Sequence, residues 1–192
     1  IPKFLHDAIT QVATPFVRNI ATIGGNICAK EQKLGLFAPL LALDAQVELK
    51  SQSETKFVSF QNFNEVPEDR ILTTIRIPLD DWDVCLYFRL GPKNRITARS
   101  AGFAFLATSE KSTISALRIA FAGPFAFRCV SLENRLLGRK LPLDYNEIEG
   151  FIKEATETFD AIAGKKNYAA ILKKQFQNLV RYSFEQLEEK KK

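Results

Sequence analysis

The chain has 192 residues, 46% hydrophobic and 26% charged, an ordinary globular composition that can bury a core in one large domain or two small ones. No apolar run approaches the ~18 residues of a membrane helix, and the opening IPKFLHDAIT lacks the layout of an export signal, which argues against both membrane span and secretion. The net charge of +5 is scattered through GRK, GKK, LKK and a final KKK without interleaved aromatics, a poor match to a nucleic-acid surface, and the three widely spaced cysteines fit reduced thiols in the cytoplasm.

In chain order, Phe4, Leu5, Ala8, Ile9 and Val12 recur at helical spacing and predict an amphipathic helix over the first dozen residues. The run RNIATI then reads as a strand ended by the pair Gly24-Gly25, which allows φ > 0 and a close approach to the main chain. LGLFAPLLALDA predicts a second short helix, strained locally by Pro39. Ala45, Val47 and Leu49 alternate, as do Ile71, Thr73, Ile75 and Ile77, each set predicting a strand with one buried face. Pro78 and the acidic LDDWD break this rhythm, and the domain division is placed there, separating 1–79 from 80–192.

Three strand-like runs follow, VCLYFRLG, RSAGFAFLAT and ISALRIAFAG, which predict an antiparallel meander. Three helices close the chain. Ser131 is placed to cap LENRLLG, and Asp144 with Glu147 forms an acidic capping box ahead of Ile148, Phe151, Ile152, Ala155 and Phe159. The last segment carries Tyr168, Ile171, Leu172, Leu179, Val180, Phe184 and Leu187 on one face. Strands followed by helices make the second part α+β. The chain contains no methionine, which predicts a piece of a longer product.

Adjacent glycines after such a run present bare backbone N–H groups, and a concavity of that kind suits an anion, above all a pyrophosphate. A tight turn would use the same pair, and the spacing is not the G-x-G-x-x-G of a dinucleotide fold. The flanking residues add to the motif. VRNIATIGGNI, at 17–27, resembles the second flavin loop of the FAD-binding domain in the molybdenum hydroxylase family, the xanthine dehydrogenase and carbon monoxide dehydrogenase type. LLALDAQVEL, ILTTIRIP, FAGPFAFRCVSLENRLLG and NYAAILKKQFQNLV are similar, in order, to later stretches of the same flavin subunit.

The resemblance implies the second half of a flavin domain followed by a three-stranded antiparallel sheet with a helical bundle. It also implies FAD as cofactor, with Thr22, Ile23, Gly24, Gly25 and Asn26 around the pyrophosphate and ribityl chain. Leu72 would pack near the isoalloxazine ring, with simple core packing as the alternative. Arg89 stands where the family usually has a lysine near the flavin edge, although a surface arginine is an equal reading. Implied partners are a 2Fe-2S subunit and a molybdopterin-binding subunit, with NAD⁺ or another acceptor taking the electrons.

Two departures from the family pattern stand out. AKEQKLG puts Gly35 where an aspartate normally holds flavin hydroxyls, and no A-G-G-T loop supplies the other wall of the site. A structural or assembly subunit with a degenerate flavin site is therefore the second reading. Elsewhere, His6 has no triad spacing, Asp80, Asp81 and Asp83 read as a solvated linker, and Cys28 reads as a small buried packing residue, with a thiol made reactive by the loop's donors as the alternative.

Overall fold

In the computed structural model, which describes residues 2–29, 33, 35–92 and 94–189, the chain opens as helix α1 (Lys3–Gln11), burying Phe4, Leu5 and Ala8. The lysine tail at 190–192 and most of the segment 30–34 quoted above lie outside the described residues. The run predicted as a strand is instead two short helices, α2 (Pro15–Ile20) and α3 (Ile23–Ile27). Pro15 is pre-set for the first helical position, and Thr22 caps α3 by accepting the Gly25 amide at 3.0 Å. Local capping outweighs the β-preference of isoleucine and threonine because the run meets no neighbouring strand.

Helix α4 (Phe37–Ala42) is buried at all six positions. Pro39 is its third residue, where a helix has no acceptor for the missing N–H, so the predicted strain does not arise. Strands β1 (Gln46–Lys50), β2 (Thr55–Ser59) and β3 (Ile71–Arg76) form an antiparallel sheet in the order β2-β1-β3. Strand β2, TKFVS, carries too little apolar alternation to be read from sequence.

In β3 the predicted buried face is wrong at its start. The register jumps between Glu48 and Leu49, so that Thr74 opposes Glu48 while Leu72 opposes Leu49. Thr73 is the extra residue of this bulge, and a one-residue slip exchanges faces. Leu72 turns toward the core and Ile71 is left 66% exposed. The Thr73 hydroxyl donates to Glu48 Oε1 at 2.7 Å, and that bond leads the causes holding the Glu48 carboxyl below its ordinary range.

Strands β4 (Val84–Leu90), β5 (Ala101–Glu110), β6 (Thr113–Ala122) and β7 (Ala126–Arg128) form a second antiparallel sheet in chain order. The first three are the predicted meander. The short β7 adds a fourth strand to it. Helices α5 (Val130–Leu136), α6 (Tyr145–Ala163) and α7 (Ile171–Glu189) follow. Cys129, not Ser131, precedes α5, whereas the Asp144 and Glu147 capping box forms at α6 with bonds of 2.7 and 3.1 Å.

The second sheet is covered on both faces. Phe103, Phe105, Leu117, Ile119 and Phe121 meet α6 and α7 in a ring cluster, with Phe121 5.2 Å from Phe159 and Phe105 5.7 Å from Phe184. The alternate residues Tyr87, Ala104, Leu106, Ala120 and Ala122 pack against α1 and α4. The phenylalanines thus face the helical pair, while Ala104, Ala120 and Ala122 beside Leu106 and Tyr87 admit the buried helix α4. The chain passes from one sheet to the other between Arg76 and Val84, and its two parts share this apolar contact.

An ionic seam lies beside that contact. Asp44 ends α4 in the left-handed region, φ 51°, with Ala45 N bonded to Leu40 O at 3.0 Å and Asp44 N to Leu41 O at 3.2 Å. These are the two bonds of a Schellman motif, with aspartate where glycine is usual. Its carboxylate receives Arg118 of β6 and Arg128 of β7. Arg128 also clamps Glu133 of α5 at 2.9 Å, and Glu133 accepts the Ile119 amide at 2.7 Å. Burial pushes the Glu133 carboxyl up from its ordinary pKa, opposed by the Arg128 guanidinium and the Ile119 amide.

Removing one partner of such a pair leaves a desolvated charge and donors without acceptors. Glu133→Ala is therefore expected to cost about 3–5 kcal/mol, read as a lower urea midpoint at unchanged m. Asp44→Ala, whose carboxylate is 40% exposed, is expected to cost less.

Candidate functional site

Around the glycine pair the structure differs from the expectation in detail while keeping a surface of bare main chain. Neither Gly24 nor Gly25 has φ > 0; both lie in the single turn of α3. Gly25 is confined, since a Cβ there would stand 3.2 Å from Thr22 Oγ1. Gly24 is open: a Cβ would meet nothing within 4 Å. The first-turn amides of a helix have no intrahelical acceptor. Thr22 takes that of Gly25, which leaves the amides of Ile23 and Gly24 without an intrahelical partner. The missing side chain at Gly24 is thus not required by packing among the described residues.

Asn26 does something else. Its Oδ1 accepts the Leu36 amide at 2.9 Å, tying α3 to the start of α4. Gly35 lies directly beneath, at φ 66°, and a Cβ on it would stand 2.3 Å from Asn26 Nδ2. The Gly35 carbonyl accepts the buried Tyr87 hydroxyl at 3.1 Å. Burial pushes that phenol up to about 12, so it stays a donor. Tyr87, absent from the sequence-predicted set, fixes this loop on the second sheet, and a polar hydroxyl within an apolar alternation is the signal that could have found it.

Arg18 is the second residue that sequence reasoning passed over. Its Nη1 reaches the carbonyls of Thr10, Val12 and Ala13 at 3.0, 3.2 and 2.9 Å, closing the turn from α1 to α2. Leu72 and Ile23 pack against the same core from β3 and α3. Arg89 lies on β4 two residues after Tyr87 and so on the same face of the sheet. Its Nη2 donates to Pro92 O at 3.0 Å, while its Nε is buried with no partner among the described residues. A guanidinium N–H without an acceptor among the described residues, and first-turn amides without an intrahelical acceptor, are donors of the kind a polyanionic ligand takes. The place of the expected carboxylate does not fit in the same way, because Asn26 fills the space beside Gly35.

Among the other candidates, His6 is exposed beside Asp7 at 3.6 Å. Cys28 is exposed, contrary to the buried reading, because α3 turns its last residue, Ile27, inward instead. Cys129 is buried, and desolvation pushes its thiol up to about 12. Asp83 is tied to the Ser109 amide at 2.8 Å, so the acidic stretch partly anchors β5. No group of three metal-ligating side chains occurs among the described residues, and no helix there is long and apolar enough to cross a membrane.

This arrangement of a half-buried glycine-bearing helix, antiparallel sheets and closing helices defines a fold class. Residues 2–80 match the FAD binding domain in molybdopterin dehydrogenase and belong to that family. Over those residues the chain is similar to the FAD-binding part of molybdenum hydroxylases, and FAD is the cofactor of the matched domain. It is 28% identical over 152 residues to the xanthine dehydrogenase FAD-binding subunit of Escherichia coli O157:H7, covering 74% of this chain and 51% of that protein. The glyceraldehyde dehydrogenase medium chain of Sulfolobus acidocaldarius is 24% identical over 150 residues, covering 71% of this chain and 51% of its own length.

The fold is shared with the Cu,Mo-CO dehydrogenase in its cyanide-inactivated form, with TM-score 0.76, 19% identity, and coverage of 94% of this chain and 65% of that one. It is shared too with the carbon monoxide dehydrogenase of Hydrogenophaga pseudoflava, with TM-score 0.73, 21% identity, and coverage of 94% and 63%. The chain spans about half the length of the two curated relatives described.

Restoring a carboxylate at position 35 is expected to harm the fold before it helps any ligand. Gly35→Asp forces a left-handed aspartate against Asn26 and is expected to cost about 2 kcal/mol in thermal or urea unfolding. Cys28 is expected to react with a maleimide in the native protein and Cys129 only after denaturation, as read by mass spectrometry.

Proposed function

We propose that this chain forms one wall of an FAD site in the flavin subunit of a molybdenum hydroxylase. The carrying observation is Gly24, whose bare main chain faces open space that no packing among the described residues requires. In this reading the amides of Ile23 and Gly24 receive pyrophosphate oxygens, and Thr22 holds the turn in shape through Gly25. Leu72 offers an apolar surface to the isoalloxazine ring, and Arg89 directs its unmatched Nε toward the flavin edge. Asn26 positions the turn by fixing Leu36. FAD, when bound, supplies the exchange between two-electron and one-electron carriers. The chain's residues bind and orient; no acid or base among them is needed.

The whole subunit, on this proposal, works in the cytoplasm beside a 2Fe-2S subunit and a molybdopterin-binding subunit, relaying electrons from the clusters through FAD to NAD⁺ or another acceptor. A specific observation also favours the second reading, an assembly subunit with a degenerate site. The Asn26 side chain fills the space beside Gly35, so that no carboxylate acceptor can stand there without displacing it.

Visible flavin absorbance of the purified full-length protein separates the two readings. Bound FAD that is lost by at least about tenfold in affinity, ~1.4 kcal/mol, on Gly24→Leu, with unchanged melting temperature, supports the flavin wall. A colourless protein that takes up no added FAD supports the assembly subunit.

A further inference from the structure

At the β7 edge of the second sheet the two parts of the molecule enclose a cleft of about 430 Å³, which shares no residue with the flavin wall. The loop after β2 lines one side through Gln61, Phe63 and Asn64, and the turn into β7 with the end of α6 lines the other. A space of this order suits a small molecule.

Its charge is one-sided. Lys33, Arg128 and Lys166 line it, and no carboxylate among the described residues does. Arg128 is taken up by Asp44 and Glu133, whereas neither lysine forms an ion pair among the described residues. The main-chain N–H of Lys33 donates to Gly123 O at 3.1 Å, and its ammonium donates to Asn64 O. That ammonium stands 4.8 Å from the ring centre of Phe37 and 6.0 Å from that of Phe63. Rings and a carbonyl replace part of its water without supplying a negative charge. Burial holds the Lys33 ammonium below its ordinary pKa; Glu65 and Cys28 oppose that, and the like charge of Lys166 adds to it.

Apolar surface completes the cleft. Phe125 and Phe127 stack with ring centres 6.1 Å apart behind it, while Ile162 is 39% exposed at its rim and Pro124 half-buried.

We infer that this cleft binds a small organic carboxylate with a compact apolar body, its carboxylate between Lys33 and Lys166 and its body against Ile162 and Pro124. An ammonium carries three donors, so Lys33 keeps N–H groups beyond the one given to Asn64. In a site backed by rings a carboxylate gains more from those donors than it would in water. A metal ion or an amine fits poorly, because each would meet two ammonium groups. Inorganic phosphate matches the charge and leaves Ile162 uncovered. Since both parts of the molecule line the cleft, its occupant ties them together, and binding raises stability.

The test titrates the purified full-length protein with benzoate and isovalerate by calorimetry, with benzyl alcohol as the uncharged comparison and inorganic phosphate as the one without an apolar body. Expected is binding of at least one carboxylate, with a raised melting temperature and an affinity about tenfold or more above both comparisons. Lys33→Met keeps an unbranched stem on the rings and is expected to weaken binding about tenfold. Lys166→Gln, at an exposed position that the fold does not depend on, is expected to weaken it about threefold. Lys153→Gln, exposed on α6 outside the cleft, should leave it unchanged. Bound carboxylate should also slow acetylation of Lys33 by N-hydroxysuccinimidyl acetate, read by peptide mass spectrometry, without slowing that of Lys153.

Failure of both carboxylates to bind overturns the inference. So does phosphate bound as tightly as either of them, an affinity unmoved in both lysine variants, or acetylation of Lys33 indifferent to the bound carboxylate. Because the two sites share no residue, each of these results leaves the flavin wall standing.

Discussion

Burial of the sheet β4-β5-β6-β7 on both faces is the constraint on which the rest of the molecule depends. A sheet covered on one side can alternate apolar with polar residues, but one covered on both must be apolar throughout. AGFAFLA and IAFA obey that rule and add a second one, large alternating with small. The phenylalanines face α6 and α7, where each buried ring is worth about 1.5–3 kcal/mol. Ala104, Ala120 and Ala122 leave room for α4, whose own residues are all buried. Everything in the first part of the chain is therefore placed by what the second part leaves open.

The ionic seam records the same dependence in polar terms. Asp44 accepts a backbone conformation better suited to glycine, and its carboxylate then meets two arginines from neighbouring strands. The end of α4, the edge of the second sheet and the start of α5 are thereby locked to one another through Arg128 and Glu133. Paired and hydrogen-bonded, these buried charges cost less than any one of them would alone, which makes the seam a device for register between the two parts.

At the candidate site, two glycines serve opposite ends. Gly35 is required internally: its φ of 66° and the Asn26 side chain above it leave no space for a Cβ. Gly24 has no positive φ and free space where a Cβ would stand, so no packing among the described residues requires its bareness. Between them Asn26 closes α3 onto α4, and Tyr87 holds the intervening loop to β4. The flavin-loop resemblance thus combines residues that face outward with residues that keep the turn rigid.

By itself the sequence determined α1, the α6 capping box, the apolar meander, the closing helices and the likeness of its first part to an FAD binding domain, because each is set by near neighbours or by an ordered string of motifs. Tertiary structure alone decided that RNIATI is helical, that Thr73 bulges out of β3, that Cys28 is exposed, and that Asp44 pairs with arginines far along the chain. The physical reason is common to all four. Local propensity prices a residue against its own backbone, whereas strand partnership, face and charge pairing exist only once distant segments have been brought together.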